Sequence, residues 1–146
     1  MFGLFSSKKN QSAVQNTRDA TPPVDADRAT GDAAAPDMTR AVMVYTVCKD
    51  AAGARTIVSY LLENRLIACA NIMPPNQSFF YWEGKMAISE EVVVFMKTRA
   101  ALFPRVNEAI SRLHAYDCPC IVSMPIEDGN PVFMKWVTDE TSYAKG

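Results

Sequence analysis

The chain has 146 residues, of which 49% are apolar, enough for one ordinary domain with a real core. Its 15 basic and 16 acidic side chains leave a net charge of −1, so it lacks the basic surplus that marks nucleic-acid binders. No stretch approaches the ~18 consecutive apolar residues of a membrane span, and the four cysteines show neither CxxC nor finger spacing.

The N-terminal segment, residues 1–39, reads as a disordered tail, and residues 40–146 as the folded domain. "DATPPVDADRATGDAAAPD" is too poor in bulky apolar groups to offset the entropy of ordering it. "MFGLF" followed by Ser-Ser-Lys-Lys inverts the charge-then-apolar order of a signal peptide, and the acids of the tail do not suit a transit peptide. Free thiols in a reducing, cytoplasmic setting are therefore expected.

"AVMVYTV" from Ala41 is a continuous apolar, β-branched run, as in a strand covered on both faces. "KDAAG" reads as a loop after it, with Cys48 at its start. Ala54, Ile57, Val58, Leu61 and Leu62 then recur at helical spacing, predicting an amphipathic helix that ends near Asn64. "ACANIM" is a short strand with Cys69 expected in the core, stopped by Pro74-Pro75. "QSFFYWEGKM" is a third, aromatic strand that turns at Glu83-Gly84-Lys85, and "EEVVVFMKT" is a fourth, from Glu90 to about Thr98.

Pro104 suits the first turn of a second helix with Val106, Ala109, Ile110 and Leu113 on its buried stripe. "CIVSMPI" is the last strand. Asn130 and Pro131 then open a closing helix with Phe133, Trp136 and Val137 on its apolar side.

Strand, helix, strand, strand, helix, strand is the split βαβ order of an α+β, ferredoxin-like domain, here with an added C-terminal helix. Right-handed crossovers put both long helices on one face of an antiparallel sheet. Yet Val92, Val94 and Met96 alternate with Val93 and Phe95, so the other face is apolar too and needs a cover. Self-association is the economical one.

"ENRLIACANIMP", "YWEGKM", "EEVVVFMKTR" and "LHAYDCPCIVSMPIEDGNPVFMKWV" occur in that order from about Ala41 to Thr141. In this ordered set the chain resembles the CutA family of divalent-cation tolerance proteins. The resemblance implies a non-enzymatic homotrimer whose sheets pack together, akin to PII-type signalling trimers, with small-ligand clefts between subunits. It also implies a relation to copper or another divalent ion, without organic cofactor, nucleic acid or membrane. The family pattern of His-Pro-Tyr-Glu followed by Pro-Glu departs here to His114-Ala115-Tyr116-Asp117-Cys118-Pro119-Cys120. A metal-linked cysteine of one bacterial member falls near Tyr45, and a histidine of that member at Leu113.

Two candidate sites result. His114, Cys118 and Cys120 are imidazole and thiolate donors of the kind Cu(I) and Zn(II) prefer, with Asp117 able to orient the imidazole. The competing reading is a buried, inert Cys120 with Cys118 on a turn. Tyr81, Trp82, Lys97, His114 and Tyr116 match residues near the family's inter-subunit cleft. Lys97 ends an apolar strand and should meet either an anion or a salt-bridge partner, Glu90, Glu91 or a neighbouring chain.

Other readings fit less well. An RNA-recognition domain lacks its aromatic consensus and its basic surface. An acylphosphatase-like enzyme lacks an arginine-bearing anion loop, and Cys118 with His114 has no evident oxyanion site. A structural reading remains, in which the trimer is a scaffold presenting its tail or C-terminal helix to a protein partner.

Overall fold

The structure is a computed structural model that describes residues 37–144. Residues 1–36, which hold nearly all of the expected tail, lie outside the described residues, as do 145 and 146.

Strand β1 (Ala41–Cys48) is followed by helix α1 (Ala51–Glu63). Only Lys49 and Asp50 of the "KDAAG" stretch form a loop, because Asp50 caps the helix and its Oδ1 accepts the Gly53 N–H at 2.8 Å. A carboxylate at that position satisfies a backbone donor the first turn leaves open, so the helix starts three residues earlier than apolar spacing alone suggests. Arg65 then takes φ +56°, outside the helical range, and the chain turns toward β2 (Cys69–Ile72).

Strands β3 (Asn76–Trp82) and β4 (Lys85–Arg99) form one hairpin. Its turn is the two residues Glu83 and Gly84, at φ +49° and +77°, the doubly positive geometry that matches the twist of antiparallel strands. Lys85 already belongs to β4, which is 15 residues long and starts five residues before the expected Glu90. The aromatic β3 supplies the partner that keeps the added stretch extended.

The sheet order is β2-β4-β1-β5, with β5 (Ile121–Pro125) antiparallel to β1, and β3 pairing with the first half of β4. This is the ferredoxin-like arrangement expected, with the second strand split by Pro74-Pro75 into β2 and β3. Met96 of β4 pairs with Ala70 of β2 on one side and Val44 of β1 on the other.

Helix α2 (Phe103–Leu113), entered through a short 3₁₀ turn and Pro104, lies with α1 against one sheet face. Val44, Val94, Met96, Ile57, Leu61 and Ile110 are buried in the core there. Truncating Leu61 to alanine would cost roughly 2–5 kcal/mol by cavity formation.

Strand alternation sends Tyr45, Val47, Val93, Phe95 and Lys97 to the opposite face, where they are only half-buried. Tyr45 and Phe95 pack with their rings tilted by 57° across the β1–β4 ladder, ring centres 5.6 Å apart. Helix α3 (Pro131–Thr141) covers one end of this face: Arg99, on the same side as Phe95 and Lys97, donates from Nη2 to the Thr141 carbonyl at 2.8 Å and from Nε to Thr141 Oγ1 at 3.1 Å. Only Val137 of the expected apolar side of α3 is buried; Phe133 and Trp136 stack on each other 5.6 Å apart and stay exposed. Beyond the helix the far half of the face stays open, its Tyr45, Val47 and Val93 only half-buried.

Candidate functional site

The loop from His114 to Cys120 joins α2 to β5 and lies beside that open half. His114 ends α2, its N–H donating to the Ile110 carbonyl at 2.8 Å. Its ring is engaged on both sides. Nδ1 accepts the Tyr116 N–H at 3.1 Å, which leaves the proton on Nε2 to bond the Val47 carbonyl at 2.9 Å. The imidazole thus ties the loop to β1 in its neutral form.

Tyr116 extends the tie to β4. Its hydroxyl donates to Glu91 Oε1 at 2.8 Å, and Glu91 is only 7% exposed. Burial, and then the hydrogen bond to the Glu91 carboxylate, push the Tyr116 phenol up to about 12. At the far end of the loop, the buried Thr46 hydroxyl donates to the Cys120 carbonyl at 2.7 Å. The loop is therefore pinned at three points to the strands beneath it.

Between this loop and the β3–β4 hairpin lies a cleft of about 850 Å³. Its floor is Tyr45, Val47 and Glu91; the hairpin contributes Phe80, Trp82 and Ser89; the loop contributes Tyr116, Asp117, Cys118 and Cys120. Phe79 and Tyr81 also border it, although alternation along β3 places them on the outer side of the hairpin. Among the described residues, two carboxylates and two thiols line the cleft, and no lysine, arginine or histidine does.

The structure thus brings together Tyr81, Trp82, Tyr116, Cys118 and Cys120 from the residues singled out in the sequence. His114 lies behind the wall, holding it. Lys97 lies elsewhere on the open face, bonded through Nζ to Asn71 Oδ1 at 2.8 Å rather than to Glu90 or Glu91. Among the described residues, no group of three or more His, Cys, Asp or Glu side chains is placed to hold a metal ion.

The cysteines differ from one another. Cys118 and Cys120 are both exposed at the cleft, so Cys120 is not a buried strand residue; β5 begins only at Ile121. Cys48 is the last residue of β1 rather than a loop residue, and burial pushes its thiol up to about 11. Cys69 is half-buried and stands opposite Lys97 on the open face, outside the core, and burial raises its thiol despite the opposing effect of that ammonium.

Glu91, which the sequence offered only as one of several partners for Lys97, is taken by Tyr116 instead. A signal existed: alternation from Val93 puts its carboxylate on an apolar sheet face, where it needs a donor. That the donor is Tyr116, 25 residues later, depends on how α2 delivers the loop.

The sequence from 42 to 140 matches the family model described as CutA1 divalent ion tolerance protein. The chain belongs to the CutA1 family. The "Divalent-cation tolerance protein CutA" of Pyrococcus horikoshii is 40% identical over 100 residues, covering 68% of this chain and 97% of that protein. Mouse "Protein CutA" is 30% identical over 129 residues, covering 88% of this chain and 72% of that protein. The solved Archaeoglobus fulgidus structure, a "Periplasmic divalent cation tolerance protein CutA", superposes with a TM-score of 0.68 at 36% identity, covering 69% of this chain and 98% of that one. The mixed α+β fold is thus that of CutA1 proteins, and the family's name is one of tolerance to divalent cations rather than of a catalysed reaction. Among the described residues no CutA1 helix is long and apolar enough to cross a membrane.

Proposed function

We propose that this CutA1 chain is a cytoplasmic, non-enzymatic homotrimer that takes up a thiophilic metal ion at Cys118 and Cys120 and so serves metal homeostasis. The observation that carries the reading is that these two exposed thiols border one cleft together with Glu91 and Asp117 and, among the described residues, no basic side chain. Thiolates favour Cu(I) and Zn(II), and the neighbouring carboxylates offset the positive charge. With both His114 nitrogens already bonded, the imidazole serves the site as a brace and the thiolates are the donors. All four cysteines are free thiols, which suits a reducing compartment.

The trimer is supported by the outer side of the hairpin. Register places Phe79 with Ile88 and Tyr81 with Met86 on that side, and they are 63%, 57%, 79% and 67% exposed. A contiguous apolar strip of this kind marks a contact surface. Other copies seated there and on the open sheet face supply the cover that α3 does not.

Native mass spectrometry of the full chain under reductant, with and without stoichiometric Cu(I) or Zn(II), tests both parts. Trimers that carry discrete ions, lost in Cys118→Ser and Cys120→Ser, are expected. Metal-free trimers would sink the metal assignment alone, and monomers would sink the assembly. The scaffold reading draws on a different observation, the exposed Phe133–Trp136 pair of α3, and predicts metal-free trimers whose partner capture depends on Trp136.

A further inference from the structure

The fold sorts the four cysteines by access. Cys48 is buried, with its thiol pushed up to about 11, and Cys69 is half-buried, with its thiol also raised by burial. Both are kept in the protonated, unreactive form. Cys118 and Cys120 are exposed and belong to the loop before β5, not to the strands of the open face. Only Pro119 stands between them. Residues two apart lie at most about 7 Å from one another in any chain, at the edge of the ~4.4–6.8 Å that a disulfide spans between Cα atoms. From 114 to 120 the chain carries neither helix nor strand, so a small local adjustment closes that gap without disturbing a ladder or a helical turn. The anchors of the loop leave both sulfurs free: Thr46 holds the Cys120 carbonyl, and Tyr116 holds Glu91. Pro119 fixes its own φ, so closing a ring across it orders little more of the chain.

We propose that Cys118 and Cys120 are a site of thiol–disulfide exchange whose substrates are low-molecular-mass disulfides. One protein thiolate attacks a sulfur of the small disulfide; a mixed disulfide forms and the first small thiol leaves with the proton the protein gave up. The other protein thiolate then attacks the protein sulfur of that mixed disulfide. The Cys118–Cys120 bond forms, the mixed bond breaks and the second small thiol leaves. Two electrons pass from the protein sulfurs to the small disulfide, and excess small thiol runs both steps backwards. Strained and exposed disulfides are the easily reduced ones, and a ring closed across one residue is both. Oxidation removes two sulfur donors at once, so the exchange also governs the loading of the cleft; that consequence alone rests on the metal reading.

The test incubates the reduced full chain with oxidised glutathione, blocks the remaining thiols with iodoacetamide and weighs the denatured protein without reductant. The expected product is a single chain with two of its four thiols protected, no glutathione attached, and the bond mapped to the peptide holding Cys118 and Cys120. Dithiothreitol should restore all four thiols. Cys118→Ser and Cys120→Ser should each stop at one attached glutathione, and Cys69→Ala should leave the ring unchanged. Glutathione adducts that persist on the unsubstituted chain, chains linked to one another, or four thiols that stay free would each overturn the proposal. Zn(II) titration of the reduced and oxidised chains separates this result from the metal reading. Uptake by the reduced chain alone is expected. A ring that forms in a chain taking up no metal in either state would sink the metal reading and leave the exchange site standing.

Discussion

The Tyr116 hydroxyl and the Glu91 carboxylate, 2.8 Å apart, join the loop before β5 to the middle of β4 and close one wall of the cleft. Tyr116→Phe removes the donor and leaves the ring, so the buried acceptor loses its partner. We expect a loss of roughly 1–3 kcal/mol of stability in urea unfolding. Glu91→Gln keeps an acceptor oxygen and should cost less, and the double variant should show a coupling between the two sites. Simple additivity would mean the bond contributes nothing to the fold.

Alkaline pH should weaken the protein in a defined window. Burial raises Cys48 from 9.0 to about 11 and Tyr116 from 10.0 to about 12. Each group is neutral when protonated and holds its proton more tightly in the folded chain. Their contribution is therefore present in full below the unfolded values and is lost as pH rises through the folded ones. Urea midpoints should fall progressively from about pH 9, first through Cys48 and then through Tyr116. Cys48→Ala should flatten the earlier part of the decline relative to its own value at neutral pH. An unchanged profile would show that the thiol does not titrate with unfolding.

His114→Ala should act on the fold and not on the metal. Two hydrogen bonds go, to the Val47 carbonyl and from the Tyr116 N–H, at an expected cost of roughly 1–3 kcal/mol. Metal stoichiometry by native mass spectrometry should match the unsubstituted chain. Lost metal with unaltered stability would return the imidazole to the donor set.

Ile88→Glu places a charge in the middle of the outer hairpin strip. Burying an unpaired carboxylate is costly, so light scattering after size exclusion should show the trimer falling to smaller species while the circular dichroism of the fold persists. A trimer that persists would move the interface away from the hairpin.

Much of this was written in local patterns. The alternation from Val92 to Met96 showed a strand that is apolar on both faces, and the spacing of Ile57 and Leu61 placed α1, because burial periodicity reports which side meets the core. The Asn130 cap with Pro131 placed the start of α3. Periodicity did not show that β4 begins at Lys85: its outer half is exposed and held by pairing to β3, and pairing is a relation between segments.

The sequence by itself determined the order of elements, the resemblance to a family and the presence of two thiols beside a histidine. Only the tertiary structure decided their roles. It sent both nitrogens of His114 into the scaffold, left Cys118 and Cys120 at the cleft, drew Glu91 to Tyr116 and kept Lys97 with Asn71. The physical reason is range. Backbone propensity and apolar period act over one or two turns, whereas a buried carboxylate or ring nitrogen takes whichever donor or acceptor the packed strands bring within 3 Å, and here the partners are 25 and 67 residues away.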